Sequence, residues 1–245
     1  MGKGVLVTGT DTGVGKTLVA CGLASALRGL GYRVGVMKPA ETGCAEREGD
    51  LFPSDAYQLQ QASGSPEPLH RICPYRFSPP VAPAVAAESS GGFIDLSLLA
   101  RLYGEISHAN DLTIVEGAGG LLVPLQARFT YADLARQLGL PLIVVVANRL
   151  GALNHTLLTL EHASCLDLRI LGYLLNNLEE ETSPAAQINA RSLRGLTRVP
   201  CLGEIPYLGP PRDAGNGPVL GTSPMDPLFH ENIGLQSLVG WIREG

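Results

Sequence analysis

Directly behind the short apolar run Val5-Leu6-Val7 the chain reads Gly9-Thr10-Asp11-Thr12-Gly13-Val14-Gly15-Lys16-Thr17. An apolar strand, a glycine-rich loop and a following helix form a P-loop, in which backbone N–H groups and the positive helix end face phosphate oxygens. In such a loop Lys16 is expected to reach the β- and γ-phosphates, and the Thr17 hydroxyl to bind Mg²⁺. The stretch therefore predicts that the chain binds a nucleoside triphosphate.

The spacing of this loop departs from the usual P-loop pattern. Five residues separate Gly9 from Gly15, whereas the usual pattern has four. The alternative interpretation is a glycine-rich turn that only joins a strand to a helix. We favour nucleotide binding, because Gly-Lys-Thr behind a predicted strand is much rarer than glycine alone.

Composition excludes several classes of protein. The chain has 245 residues, 45% of them hydrophobic, and a net charge of −5 without a basic block. We therefore expect neither a nucleic-acid partner nor a membrane partner, and no apolar run approaches the roughly 18 residues of a membrane span. The first residues lack the apolar segment of a signal peptide. The five cysteines are scattered and contain no Cys-x-x-Cys pair, which favours a reducing cytoplasm over a disulfide framework or a zinc site.

Short β-rich runs alternate with longer helical segments, as in a parallel sheet covered on both faces. The expected strands are Gly4–Thr8, Arg33–Lys38, Leu112–Glu116, Leu140–Ala147 and Leu168–Leu175. The expected helices are Thr17–Leu30, Asp55–Ser63, Leu96–Ala109, Tyr131–Leu138, Asn154–Leu166, Pro184–Leu196 and a last one around Ile233–Ile242. The sequence thus predicts an α/β fold of the P-loop NTPase type, with a mostly parallel sheet, helices on both faces and a single domain over residues 1–245.

Three stretches rich in proline, glycine or small residues are expected to be irregular: Ala40–Pro53, Ile72–Gly92 and Tyr207–Asn232. Long loops inside a compact domain are usually functional or mobile. Residues 209–245 are expected to form an irregular C-terminal wrap followed by the last helix.

Ligands of an open parallel sheet collect at the carboxyl ends of its strands. Lys38 ends the second expected strand before a proline, so it is either held at the sheet edge or simply solvated. Glu116 ends the third strand, where a carboxylate either holds Mg²⁺ or its water, or only caps the turn. Asp55, behind Ser54, is either a second oxygen ligand of Mg²⁺ or a helix cap. Asn176 follows the fifth strand and either reads an adenine edge or forms an Asx-turn.

A set of further motifs follows the P-loop in order: Lys38-Pro-Ala-Glu-Thr-Gly43, Ser54-Asp55-Ala56, Pro74-Tyr-Arg-Phe77 with Ala82-Pro83, Val115-Glu-Gly-Ala-Gly-Gly120, Leu150-Gly-Ala-Leu-Asn-His-Thr-Leu-Leu-Thr159 and Gly203-Glu-Ile-Pro206. Between residue 3 and about residue 208 this ordered set resembles the dethiobiotin synthetase family. The five-residue spacing of the glycine loop is that family's form of the P-loop.

The resemblance implies an ATP-dependent enzyme of biotin biosynthesis that converts 7,8-diaminopelargonate, CO₂ and MgATP to dethiobiotin, ADP and phosphate. One amine takes up CO₂ as a carbamate, the γ-phosphate is transferred to the carbamate oxygen, and the second amine closes the ring. Because carbamate and γ-phosphate are both anions, cations must offset their repulsion and positioning must supply most of the remaining catalysis.

The resemblance also implies the roles of individual residues. The catalytic residues are Lys16 and Lys38. ATP is bound by Thr12, Gly13, Val14, Gly15, Lys16, Thr17, Glu116 and Asn176. The substrate is bound by Thr42, Lys38, Ala152, Leu153 and Asn154, and Mg²⁺ is held by Thr17, Asp55 and Glu116. In the family the helix start at residues 152–154 comes from the neighbouring subunit, so a homodimer is implied.

Two departures from the family pattern stand out: Ala84 replaces a frequent histidine, and Gly13 stands where some members have glutamate. Two alternative classes fit less well. The synthetase half of a corrinoid amidase would carry a glutaminase domain, for which too little chain follows residue 208. A regulatory switch ATPase of the partition or division-site type would carry an early lysine in the loop, where this chain has Asp11.

Overall fold

The computed structural model describes residues 3–181, 183–209 and 231–243. Its strands are β1 (Lys3–Gly9), β2 (Val34–Met37), β3 (Ala40–Thr42), β4 (Ala45–Arg47), β5 (Asp50–Phe52), β6 (Tyr75–Phe77), β7 (Leu112–Gly120), β8 (Pro124–Gln126), β9 (Phe129–Thr130), β10 (Leu142–Ala147), β11 (Ile170–Asn176) and β12 (Cys201–Ile205). Its helices are α1 (Lys16–Gly29), α2 (Ser54–Ser63), α3 (Leu69–Ile72), α4 (Pro83–Ser89), α5 (Leu96–Ala109), α6 (Tyr131–Leu138), α7 (Ala152–Cys165), α8 (Pro184–Leu196) and α9 (Leu235–Arg243).

A six-stranded parallel sheet forms the centre, in the order β12-β11-β10-β1-β7-β2. Strand β10 consists of six apolar residues, all buried, as a strand covered on both faces must be. Successive side chains of a strand point to opposite faces, and accordingly Val5 and Val7 belong to one core cluster while Leu6 belongs to the other. The sheet therefore separates two apolar cores.

Helices cover both faces of this sheet. Helices α1, α2 and α9 pack on the face of Val5, through residues such as Leu27, Leu59 and Leu238. Helices α5, α6, α7 and α8 pack on the face of Leu6. The predicted α/β fold with a mostly parallel sheet and helices on both faces is confirmed, whereas the assignment of residues 1–245 to one domain stays a prediction.

The sequence prediction was wrong about three parts of the fold. Strand β7 does not end at Glu116 but continues through the following glycines, because Gly120 pairs with Gly9 of β1. The sixth parallel strand, β12, was missed, since its half-exposed pattern with a central glycine lacks a clear strand signal. Two stretches expected to be irregular contain regular elements: Ala40–Pro53 contains β3, β4 and β5, and Ile72–Gly92 contains β6 and α4.

The C-terminal part of the chain is described only in part. Of the expected wrap at Tyr207–Asn232, residues 210–230 lie outside the described residues. The last helix, α9, follows an isolated bridge between Gly203 and Ile233, close to the predicted position. None of the described helices is long and apolar enough to cross a membrane.

Candidate active site

The P-loop connects β1 to α1 in a conformation that requires glycine. Gly13 and Gly15 have positive φ angles of 75° and 90°, in the left-handed region that side chains with a Cβ rarely adopt. A Cβ atom on Gly15 would lie 2.1 Å from Nδ2 of Asn176. The loop therefore needs glycine at position 15 both for its backbone angle and for the close approach of β11.

Lys16 folds back over this loop. Its side chain is buried, and its Nζ donates to the carbonyl oxygen of Asp11 at 3.0 Å. Burial, together with the positive charge of Lys38, lowers the pKa of Lys16 to about 8. Since the lowered pKa reports an unfavourable charge, an anion between the two lysines would relieve that cost, as a phosphate group does.

Lys38 lies at the centre of a cluster of charged side chains. Its Nζ is 2.9 Å from Oδ2 of Asp55 and 2.5 Å from Oε1 of Glu116. The same Oε1 accepts a hydrogen bond of 2.8 Å from the Thr17 hydroxyl. Residues from β7, α1, α2 and the end of β2 thus meet at one point, and we call Thr17, Lys38, Asp55 and Glu116 the Lys38 cluster.

The cluster keeps Lys38 protonated. Burial alone would lower the pKa of Lys38, but Asp55 and Glu116 outweigh it and raise that pKa well above its usual value. Burial likewise works against the charge of Asp55, yet Lys38 holds the pKa of that carboxyl below its ordinary value. Glu116 is fully buried, and burial raises its pKa despite the neighbouring ammonium. The interior charges therefore depend on one another.

The oxygen atoms of the cluster fit a magnesium ion. Oε2 of Glu116 is buried and has no hydrogen-bond partner among the described residues. Together with the Thr17 hydroxyl and the Asp55 carboxylate it presents oxygen donors, which Mg²⁺ prefers. Within the described ranges no group of three or more His, Cys, Asp and Glu side chains forms a metal cage of its own. The set suits an ion that keeps waters and phosphate oxygens among its ligands.

Glu41 is a residue of the site that the sequence analysis left without a role. Its Oε1 accepts from the Asp55 amide at 3.0 Å and the Ser54 hydroxyl at 3.2 Å, and its Oε2 accepts from the Ala56 amide at 3.0 Å. Burial and the charge of Asp55 raise its pKa to about 7. The cap of α2 is thus supplied by Glu41, and Asp55 itself turns toward Lys38.

Asn176, at the end of β11, contacts the P-loop directly. Its Nδ2 donates to the carbonyl oxygen of Val14 at 2.9 Å, while its buried Oδ1 has no partner in the part of the chain that is described. The amide is therefore bound to the loop on one side and keeps a free acceptor on the other. The alternative, an Asx-turn, is not formed among the described residues, because Oδ1 accepts no backbone N–H there.

A cleft lies beside the carboxyl ends of β10 and β11. Its volume is about 380 Å³ including space open to solvent, and it is lined by Ala147, Asn148, Arg149, Asn177, Leu178, Glu179, Glu181, Ser183 and Ala186. Asn148 braces one wall, since its Nδ2 lies 2.9 Å from both the Asn177 amide oxygen and Glu204 Oε1. The sequence analysis missed Asn148 and Glu204, because their contact depends on the pairing of three strands.

The residues predicted for substrate binding lie at two places. Thr42 is half-buried in β3, directly behind Glu41. Ala152, Leu153 and Asn154 form the first turn of α7, in which Ala152 is buried and Asn154 is exposed. Thr12 is exposed in the P-loop and its amide donates to the Asp11 carboxylate.

Taken together, the parallel sheet, the glycine loop and the paired lysines define a P-loop NTPase. The fold agrees with solved structures: the septum site-determining protein MinD of Pyrococcus horikoshii superposes with a TM-score of 0.56 at 18% identity, over 100% of this chain and 96% of that chain. Chloroplast FtsY of Physcomitrella patens gives a TM-score of 0.52 at 18% identity, over 94% of this chain and 66% of that chain. At such identities the likeness concerns the fold.

Sequence comparison identifies the family. Residues 3–211 match a family model described as an AAA domain. The ATP-dependent dethiobiotin synthetase of Anaeromyxobacter dehalogenans strain 2CP-C is 46% identical over 84% of this chain and 90% of that protein. The enzyme of the same name from Aeromonas hydrophila is 39% identical over 92% and 100%, and that of Salmonella typhi 37% identical over 92% and 99%. The chain belongs to the dethiobiotin synthetase family, which confirms the resemblance and the enzyme class predicted from the sequence.

Proposed function

We propose that the chain is an ATP- and Mg²⁺-dependent dethiobiotin synthetase, which carboxylates 7,8-diaminopelargonate with CO₂ and closes the ureido ring. One observation supports this assignment above the others. The ammonium of Lys38 is fixed by two carboxylates at the rim of the P-loop, close enough to Lys16 for the two charges to interact. Two cations beside a phosphate-binding loop suit a reaction that joins two anions.

The reaction proceeds through a carbamate. One amine of the substrate attacks CO₂ and loses a proton, and the carbamate oxygen then takes the γ-phosphoryl group while ADP leaves. The second amine attacks the carbonyl carbon of the mixed anhydride, so that the ring closes and phosphate departs with the C–O bond electrons. Lys16 binds the phosphates of ATP, and Lys38 stabilises the carbamate and the transferred phosphoryl group. Because Lys38 stays protonated, it acts by charge and position.

Thr17, Asp55 and Glu116 hold Mg²⁺ directly or through water. A bound Mg²⁺ neutralises charge on the phosphate oxygens during transfer. Thr17 and Glu116 are already joined by a hydrogen bond of 2.8 Å, and the free Oε2 of Glu116 supports a ligand at this position. The two carboxylates thus hold Lys38 and would also supply oxygen ligands to the metal when it is bound.

The nucleotide extends from the P-loop, with the backbone of Thr12, Gly13, Val14 and Gly15 around its phosphates. The free Oδ1 of Asn176 accepts a hydrogen bond from the adenine amino group. The neighbouring cleft at the ends of β10 and β11 is open to solvent. Its position next to the loop supports this placement, because Leu178 of the cleft lies 4.0 Å from where a Cβ of Gly15 would stand.

The diamine substrate binds between two subunits of a homodimer. Thr42 contacts it from one subunit, and the backbone at Ala152, Leu153 and Asn154 of the other receives its carboxylate. Leu150, just before α7, and Leu158, within it, are 86% and 63% exposed, and exposed large apolar side chains that a second subunit would cover support an interface at this helix. The five cysteines, all unpaired, agree with the proposed cytoplasmic location.

The experiment is an ATP hydrolysis assay with Mg²⁺ and bicarbonate, in the presence and absence of 7,8-diaminopelargonate. The proposal predicts that ADP release depends on the diamine and is accompanied by a product of the mass of dethiobiotin. Steady hydrolysis that ignores the diamine would instead favour the alternative, a regulatory switch ATPase of the partition or division-site type.

A further inference from the structure

Glu41 links β3, the strand that also carries Thr42, to α2, the helix that carries Asp55. The side chain is 4% exposed and projects from β3 toward the first turn of α2. Each carboxylate oxygen accepts one backbone amide of that turn, Oε1 from Asp55 and Oε2 from Ala56, both at 3.0 Å. A buried carboxylate with two backbone partners holds both elements in one relative position.

Besides the packing of Ala56 in the core, the first turn of α2 is held by the hydrogen bonds to Glu41. The residue before the helix is Pro53, whose side chain makes no capping hydrogen bond. The first amides of a helix lack partners within the helix, so Glu41 satisfies donors that would otherwise remain open. Asp55 lies in this same turn and extends its carboxylate to Lys38 at 2.9 Å. The position of the Asp55 carboxylate therefore depends on the contact between Glu41 and the backbone of Asp55.

We propose that Glu41 is a positioning residue, whose carboxylate fixes the first turn of α2 and thereby sets the Asp55 carboxylate for Mg²⁺-nucleotide binding beside Lys38. The inference rests on the proposed role of Asp55 as a metal ligand. Thr42 follows Glu41 directly in β3, so the same strand carries the substrate contact and the support of the metal site. A displacement of β3 relative to α2 would therefore change both the substrate contact and the metal site.

The test compares Glu41→Gln with a matched control. Glutamine has the same length, but its amide nitrogen would face a backbone N–H donor, so one of the two contacts is lost. The control is Asp95→Ala, which removes a carboxylate that accepts the amides of Ser97 and Leu98 at the start of α5. Both variants thus lose hydrogen bonds between a carboxylate and the first amides of a helix.

The measured quantity is the dissociation constant of ADP with and without Mg²⁺, determined by titration calorimetry. We expect the gain in ADP affinity from Mg²⁺ to fall about tenfold in Glu41→Gln, the usual effect of removing the support of a metal ligand. ADP binding without Mg²⁺ should stay as in the wild type, and Asp95→Ala should keep the full gain. Denaturant unfolding measures the loss of stability in both variants.

The proposal is overturned if Glu41→Gln loses stability as Asp95→Ala does and yet keeps the full effect of Mg²⁺, because Glu41 would then be only a helix cap. If Glu41→Gln does not fold, Glu41→Asp decides, since its shorter carboxylate should give a smaller loss of the same kind and a full Mg²⁺ effect would refute the idea. The measurement needs no diamine, so it is independent of dethiobiotin formation. A wild type that makes no dethiobiotin would refute the proposed function alone.

Discussion

Replacing Lys38 by methionine should cost stability as well as activity. The ammonium is the partner of Glu116, which is fully buried, and of Asp55, whose side chain is 34% exposed. Removing one partner of a buried ion pair costs about 3–5 kcal/mol, because a charge is left without compensation. Asp55 can turn to water, and Glu116 can bind a proton, so we expect the lower end, about 3 kcal/mol.

The assay is urea unfolding of four chains: the wild type, Lys38→Met, Glu116→Gln and the double variant. The double variant contains no uncompensated charge at the buried position, so its free energy of unfolding should return to within about 1 kcal/mol of the wild type. The control is Arg33→Met, which removes a cation from the ion pair between Arg33 and Asp111, where the Arg33 side chain is 70% exposed. Its unfolding should be nearly unchanged.

Turnover separates the two effects. Both chains that lack Lys38 should fail to form dethiobiotin, even though one of them regains stability. If Lys38→Met is as stable as the wild type, or if the losses of unfolding free energy in the two single variants simply add in the double variant, the charges of Lys38 and Glu116 do not compensate each other.

Three further predictions concern other parts of the molecule. Asp133 accepts hydrogen bonds from the amide and the hydroxyl of Thr130, and the bond from the amide is the main reason why the pKa of Asp133 lies below its usual value. The stabilisation is therefore complete above the unfolded pKa near 4 and is lost as pH falls through the folded pKa. The free energy of unfolding of Asp133→Asn should be about 1 kcal/mol lower than that of the wild type at neutral pH, and it should decrease less steeply as the pH is lowered. Asn176→Ala removes the free Oδ1 and the contact with Val14, and calorimetry should show about tenfold weaker MgADP binding; unchanged binding would remove Asn176 from the nucleotide site. Leu158→Glu should convert the proposed dimer to a monomer in light scattering, and an unchanged mass would place the interface elsewhere.

Local patterns predicted most of the fold. The glycine loop behind β1 and the uninterrupted apolar run of β10 are signals carried by neighbouring residues, and both elements lie where they were expected. Lys38 and Glu116 were among the candidate site residues because ligands collect at the carboxyl ends of parallel strands. Their direct pairing depends on β2 lying next to β7 in the sheet, and this strand order was not predicted.

Contacts between distant elements could not be predicted from these patterns. The bond from Asp55 to Glu41 joins a helix to a short strand that itself exists only because β3 pairs with β6. The pairing of Gly120 with Gly9 extends β7 through glycines that favour a turn in isolation. In both cases tertiary contacts outweigh local preference, and a single sequence carries no local signal of them.

If this chain joins CO₂ to a diamine at the expense of ATP, carbon from bicarbonate must appear in the product. The experiment supplies ¹³C-bicarbonate, MgATP and 7,8-diaminopelargonate and follows the product by mass spectrometry. The wild type should form dethiobiotin that carries the label, together with ADP, and Lys38→Met should not. ADP formed by the wild type without labelled product would show that the chain does not catalyse this carboxylation.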